Sequence, residues 1–138
     1  MAYTFQDIKS FLEENVGCDE GEIIESCDIV KDLGCYGEDF DELMSAYSKK
    51  FHVDMTSYLW YFHTKEEGNS FGGMVFKAPN ERVKRIPVTP IVLVDSANNG
   101  KWIISYPEHT LPKKRFDLTI NLILVIAFFS FWIYKCSK

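Results

Sequence analysis

The sequence lacks the short cysteine spacings that hold zinc or form redox pairs. Its cysteines are Cys18, Cys27, Cys35 and Cys136, and no two of them are separated by two residues. Zinc knuckles and thioredoxin-like redox sites both use that separation. We therefore expect reduced, structural thiols and no metal site.

Secretory signals and repeats are also missing. The first residues, MAYTF, contain neither the basic stretch nor the apolar run of a signal peptide, so we expect the N-terminal domain to stay in the cytosol. A cytosolic domain is compatible with unpaired cysteines. The 138 residues contain no internal repeat or low-complexity tract, and this length allows one soluble domain.

Basic residues are scarce in the N-terminal half. Residues 1–67 hold 5 Lys/Arg against 16 Asp/Glu, a net charge of −11, whereas residues 68–138 hold 10 against 4, a net charge of +6. An acidic surface repels nucleic acid and attracts basic protein surfaces. We expect a protein partner with a basic surface and no nucleic acid.

A long hydrophobic run lies near the C-terminus. Residues 118–134, LTINLILVIAFFSFWIY, carry no charge and would form a helix about 26 Å long, close to the thickness of a thin bilayer. A buried core helix is the alternative, but so small a domain could not cover all its faces. The sequence therefore predicts a transmembrane helix. The residues chosen as its lipid-facing anchor are Leu118, Leu122, Val125, Phe129, Trp132 and Tyr134.

The flanks of this run predict its orientation. The juxtamembrane segment 113–117 begins with Lys113, Lys114 and Arg115, which outweigh the two lysines of the short tail 135–138. Basic residues favour the cytoplasmic side of a membrane. We therefore expect a single-pass, tail-anchored protein with its N-terminal domain in the cytoplasm. The role of Cys136 stays open.

Two helices are predicted in the acidic region. Thr4 and Asp7 match a capping box ahead of an apolar pattern with helical spacing, and Gly17 ends it. Carboxylates crowd the start of a second helix over residues 38–50, where they favour the positive end of the helix dipole. These candidate partner-binding carboxylates are Glu38, Asp39, Asp41 and Glu42.

The middle of the chain is less regular. The aromatic cluster at residues 58–62 is expected to pack as a core and its edge rather than form a ligand or metal site. A connector over residues 68–85 is predicted to contain a short strand at 74–77. Residues 90–98 begin and end like a helix, whereas the β-branched run IVLV favours a hairpin; we prefer the helix, and the alternative stays open.

Residues 32–43, DLGCYGEDFDEL, resemble the acyl carrier proteins, whose hallmark is Asp-Leu-Gly, two residues, a serine and an acidic helix. In that family the serine carries the phosphopantetheine arm. Here Gly37 occupies its position, Tyr36 replaces the preceding acidic residue, and Ser45 and Ser48 lie too far along the helix to substitute. The resemblance implies a carrier-like fold that binds no cofactor.

The rest of the chain, from WYFH through IPVTP and GKW, is similar to an uncharacterised group of enterobacterial proteins. That similarity implies the bacterial inner membrane as the location of the anchor. The fold class is therefore expected to be mainly α: an acyl-carrier-like helical bundle over 1–67, a short irregular α/β extension packing on it over 68–112, and the transmembrane helix.

Three functional hypotheses follow. The first is a non-catalytic, membrane-tethered interaction module that presents its acidic helix to a partner, although the same carboxylates also suit a merely solvated helix. The second is an atypical acyl carrier acting at the membrane. The third is a small hydrolase using Cys35 or Cys27 with His52 or His63, for which no adjacent base or oxyanion hole is evident. We expect no catalytic residues.

Overall fold

The structure is a computed structural model that describes residues 2–66 and 71–138. Within these ranges it is mainly α-helical and contains no β-strand, which confirms the predicted mainly α class but not the α/β character expected of the extension. The α-helices are α1 (Phe5–Val16), α2 (Glu38–Phe51), α3 (Phe71–Val75), α4 (Pro90–Asn99) and α5 (Phe116–Cys136). Short 3-10 turns lie at Glu20–Glu22, Trp60–Phe62 and Pro79–Glu81.

Helix α1 begins and ends as its sequence predicts. The Thr4 hydroxyl accepts a hydrogen bond from the backbone N–H of Asp7, while the Asp7 carboxylate accepts one from the backbone N–H of Thr4 at 2.7 Å. Gly17 closes the helix in the left-handed conformation, at a φ of 71°. Both ends are fixed by local residues, which is why the pattern was readable.

Helix α2 also follows the prediction and extends one residue past it, to Phe51. Its first turn carries three carboxylates and its last turn carries Lys49 and Lys50, so both ends complement the helix dipole.

Two expectations for the extension are resolved. Residues 90–99 are helical, with Pro90 in the first turn and Gly100 closing the last at a φ of 69°, so the hairpin alternative is wrong. The short strand predicted at 74–77 is also wrong, because the backbone turns helically and Phe76 N–H donates to Gly72 O at 2.8 Å. The predicted boundary between residues 67 and 68 lies outside the described residues.

One hydrophobic core joins α1, α2 and α4. Phe11, Tyr47 and Leu93 are fully or almost fully buried, and the Tyr47 hydroxyl donates to the backbone oxygen of Leu93 at 2.6 Å. Trp102 belongs to the same core. The aromatic cluster at 58–62 packs as core and edge, with Phe62 fully buried and its four neighbours half-buried.

Helix α5 contributes nothing to that core. Its 21 residues would be about 31 Å long, which with a mean hydropathy of 2.1 is enough to cross a membrane. Only 6% of its most apolar stretch is buried. It includes the predicted span 118–134 and adds two residues at each end. The six predicted lipid-facing residues, Leu118, Leu122, Val125, Phe129, Trp132 and Tyr134, are all more than half exposed.

Candidate functional site

The start of α2 is the first candidate site, and its geometry is set by Gly37. This residue is buried and caps the helix with φ 64° and ψ −134°, a conformation that residues with a Cβ avoid. Its backbone N–H donates to the Thr64 hydroxyl at 2.9 Å. Glycine at this position is therefore required by the backbone.

The four predicted carboxylates are exposed, but they do not form one patch. Glu38 and Asp41 line a cleft of about 480 Å³, whereas Asp39 and Glu42 line a second cleft of about 370 Å³. Each pair is three residues apart and so shares one side of the helix. The acidic start of α2 thus presents two separate surfaces.

The first cleft, which we call the Glu38 cleft, mixes charges and aromatic rings. Besides its two helix carboxylates it is lined by Gly37, Tyr58, Trp60, Lys65 and Glu66. Burial, followed by the neighbouring charge of Glu38, raises the pKa of Asp41.

The Tyr58 hydroxyl at this cleft is buried, and within residues 2–66 and 71–138 it has no hydrogen-bond partner. Burial, followed by the charge of Asp41, raises the pKa of Tyr58, so its phenol stays protonated. The accessible polar groups of the cleft are therefore its charged side chains, and the Tyr58 hydroxyl lies buried behind them.

The second cleft lies between the end of α1 and the loop before α2. Its lining includes Val16, Gly34 and Cys35. Burial, followed by the charge of Asp39, raises the pKa of Cys35 to about 11. The thiol is therefore protonated near neutral pH and is a poor nucleophile.

His63 serves as a structural bridge in the core. Its Nδ1 lies 2.8 Å from the Ile86 backbone oxygen and its Nε2 lies 2.7 Å from the Tyr106 hydroxyl. The Tyr106 hydroxyl oxygen in turn accepts hydrogen bonds from the ring N–H of Trp102 and the backbone N–H of Leu59. A neutral ring that donates from Nδ1 and accepts at Nε2 satisfies this network.

This network leaves His63 without a free ring nitrogen for catalysis. Burial lowers the pKa of His63 to about 4. Burial also raises the pKa of Cys27. His52 is exposed at the end of α2. The described residues also contain no group of three or more His, Cys, Asp or Glu side chains able to hold a metal.

The Glu38 cleft is linked to the base of α5 by an ion pair. Arg115 donates to both carboxylate oxygens of Glu66, at 2.8 and 3.0 Å, and to Asp117 at 2.9 Å. Two parallel hydrogen bonds between a guanidinium and a carboxylate fix orientation as well as distance. Glu66 therefore joins the candidate partner surface to the start of the apolar helix.

Helix α3 makes the second attachment to α5, and sequence reasoning missed it. The backbone N–H of Gly72 donates to the Asn121 side-chain oxygen at 2.8 Å, and the Phe76 and Phe116 rings lie 5.4 Å apart. The available signal was the apolar sequence FGGMVF, whose adjacent glycines suggested a connector. Adjacent glycines also allow two helices to pack closely, and that is their role here.

A family comparison covers the domain and stops before α5. The model of a family described as "Protein of unknown function (DUF1493)" matches residues 3–106. The chain belongs to the DUF1493 family. The DUF1493 match includes α1, α2 and α4 together with the Glu38 cleft. No curated protein and no solved structure matches the chain.

Proposed function

We propose that this DUF1493 protein is a non-catalytic interaction module with an acyl-carrier-like fold, tethered to the bacterial inner membrane by α5. The domain lies on the cytoplasmic side and offers the acidic start of α2 to a protein with a basic surface. The observation that carries the proposal is the contrast between a core complete without α5 and an α5 that is long, apolar and exposed.

The flanking charges support the orientation. Lys113 and Lys114 are exposed beside Arg115, directly before the helix. Such a cluster favours the cytoplasmic face and contacts anionic headgroups. The bond between Arg115 and Glu66 then holds the Glu38 cleft near that face.

The geometry at Gly37 argues against the alternative of an atypical acyl carrier. A carrier needs a hydroxyl on an accessible side chain, but this position has no side chain, is buried and has a positive φ. The Cys/His hydrolase is disfavoured because the pKa of Cys35 is raised and both ring nitrogens of His63 already have partners. The interaction module requires neither an accessible hydroxyl at position 37 nor a reactive thiol and imidazole.

Membrane tethering is tested by deleting residues 113–138. We expect the remaining domain to be soluble and folded, because no buried core residue comes from the deleted part. The full chain should resist carbonate extraction. Retention of the truncated domain in carbonate-washed membranes would contradict the proposed anchor.

Orientation is tested with a C-terminal reporter that is active only in the cytosol. We expect it to be silent when fused after Lys138, whereas the same reporter on the truncated domain should be active. An active C-terminal fusion in the full chain would reverse the proposed topology.

The carrier alternative is tested by the intact mass of the protein purified from its host. An acyl carrier requires the added mass of a pantetheine arm, whereas the interaction module requires none.

A further inference from the structure

Helix α3 exposes apolar side chains although it packs against α5. The side chains of Phe71, Met74 and Val75 are 72%, 82% and 68% exposed. On its inner side, Gly72 is buried against the backbone of Asp117. The short helix thus has one side fixed to α5 and an outer side made of large apolar groups.

The contacts place α3 beside the first turns of α5. Gly72 contacts Asp117 and binds Asn121, and these two residues are separated by about 6 Å along a helix that rises 1.5 Å per residue. The ring of Phe76 reaches back to Phe116, the first residue of α5. The position of α3 along the axis of α5 is therefore defined.

This position coincides with a membrane boundary. A helix about 31 Å long matches a hydrocarbon core of about 30 Å, so its first turns lie just inside one surface. Interfacial helices bury their apolar side about 5–10 Å into the boundary between headgroups and acyl chains. The span from Asp117 to Asn121 falls in that layer.

Basic residues surround the same position. A small cleft of about 120 Å³ next to Phe76 and Phe116 is bordered by four cations. These are Lys77, Arg82, Lys114 and Arg115. Cations beside an apolar helix at this level suit the phosphates of anionic lipids.

We infer that α3 is a second, interfacial membrane anchor, which inserts Phe71, Met74 and Val75 into the boundary between headgroups and acyl chains on the cytoplasmic side of the bilayer that α5 spans. This inference rests on the proposed membrane tethering by α5. The bilayer is the favoured occupant because α3 packs on the first turns of α5, and both helices expose large apolar side chains. Lys77 and Lys114 would meet the lipid phosphates.

The test uses the full chain reconstituted in vesicles of phosphatidylcholine and phosphatidylglycerol at a ratio of three to one. Cys18 and Cys136 are changed to serine, and a single cysteine is introduced by Met74→Cys, Val75→Cys, Leu124→Cys or Ser10→Cys. Each is spin-labelled, and collision rates with oxygen and with a water-soluble nickel chelate are compared. The protein with only the Cys18→Ser and Cys136→Ser changes shows how much label reaches the buried Cys27 and Cys35.

Leu124 reports insertion of α5, and Ser10 is an exposed control on α1. We expect the ratio of the oxygen collision rate to the nickel-chelate collision rate to be at least tenfold higher at positions 74, 75 and 124 than at position 10. A lipid signal at 124 with an aqueous signal at 74 and 75 would overturn the inference and leave the α5 anchor intact. An aqueous signal at 124 would overturn the anchor itself. Shielding of 74 and 75 from both reagents would indicate a protein contact, from a second copy or a partner, and also overturn the inference.

Discussion

Gly72 lies so close to the backbone of Asp117 that a Cβ atom at position 72 would stand 2.6 Å from the Asp117 carbonyl carbon and clash with its oxygen. Backbone atoms cannot yield as a flexible side chain can. We predict that Gly72→Ala separates α3 from α5 at a cost of about 1–3 kcal/mol, as overpacking does elsewhere. Chymotrypsin cleavage of the detergent-solubilised full chain after Phe71 and Phe76 should then accelerate by roughly tenfold or more.

The matched control is Gly21→Ala, because a Cβ at position 21 has nothing within 4 Å. Its cleavage at Phe71 and Phe76 should stay at the wild-type rate. Equal rates for the two variants would show that the contact between Gly72 and Asp117 does not hold α3 in place.

Gly37→Ser places a hydroxyl at the start of α2, where serine is ordinarily a favourable helix cap. The φ of 64° and ψ of −134° reverse that ordinary effect, because serine has a Cβ. We now predict a loss of about 1–3 kcal/mol in the free energy of unfolding. Urea unfolding of the solubilised full chain, followed by tryptophan fluorescence, measures it.

Gly21→Ser provides the comparison for this variant, since position 21 has open space and no positive φ. Its unfolding midpoint should shift little. If Gly37→Ser were as stable as Gly21→Ser, the backbone conformation assigned to residue 37 would be contradicted.

Gly72 and Gly37 mark the limit of what could be predicted from the sequence. The ends of α1, α2 and α4 were predictable because each depends on residues within one turn, such as Thr4 with Asp7 or Gly100 after Asn99. The span of α5 was predictable because composition and length alone decide it. Local signals of this kind account for most of the helices.

Long-range contacts account for what was missed. The backbone conformation of Gly37 is supported by Thr64, 27 residues away, and α3 is held by Asn121, 49 residues away. No local pattern encodes either partner. For the same reason the four acidic residues of α2 looked like one patch, although Cys35 and Tyr58 line different clefts on either side of them.

The buried His63 predicts a loss of stability in mild acid. Its pKa is about 4 when folded and about 6.5 when unfolded, so between these values the unfolded chain binds the extra proton. The contribution of neutral His63 to the free energy of unfolding is fully present above pH 6.5 and is lost as the pH falls toward 4. At about 1.4 kcal/mol per pKa unit of difference between the folded and unfolded chain, the total loss of stability is about 3 kcal/mol.

Urea midpoints measured from pH 7 to pH 4 should reveal this slope. His63→Gln removes the titrating ring, so its stability should depend less on pH over the same interval, whatever its absolute stability. His52→Gln is the control, because His52 is exposed and should leave the slope unchanged. A wild-type slope in His63→Gln would assign the effect to other groups.

The division of the acidic residues predicts unequal roles in partner binding. Glu38 and Asp41 line the cleft that shares Glu66 with the attachment to α5, whereas Asp39 and Glu42 face the far cleft. We predict that Glu38→Gln with Asp41→Asn reduces co-purification of membrane-bound partners several-fold. Asp39→Asn with Glu42→Gln should reduce it less.

Both double variants should remain folded, at a cost on the order of 0.3–1 kcal/mol for each lost dipole interaction. Quantitative mass spectrometry of the solubilised complexes measures the partners, and unfolding curves verify the fold. An unchanged partner set in both folded variants would mean that the start of α2 is only a solvated surface.

Under the proposed tethering and partner binding, the hydrogen bonds from Arg115 to Glu66 would limit where the Glu38 cleft can reach. A surface held this close to its own anchor explores a thin layer rather than the volume that a long flexible linker would permit. For a partner confined to the same bilayer, both surfaces would occupy this thin layer, so their local concentration would exceed that of two freely diffusing proteins. A given affinity would then produce a higher occupancy at the membrane than in free solution.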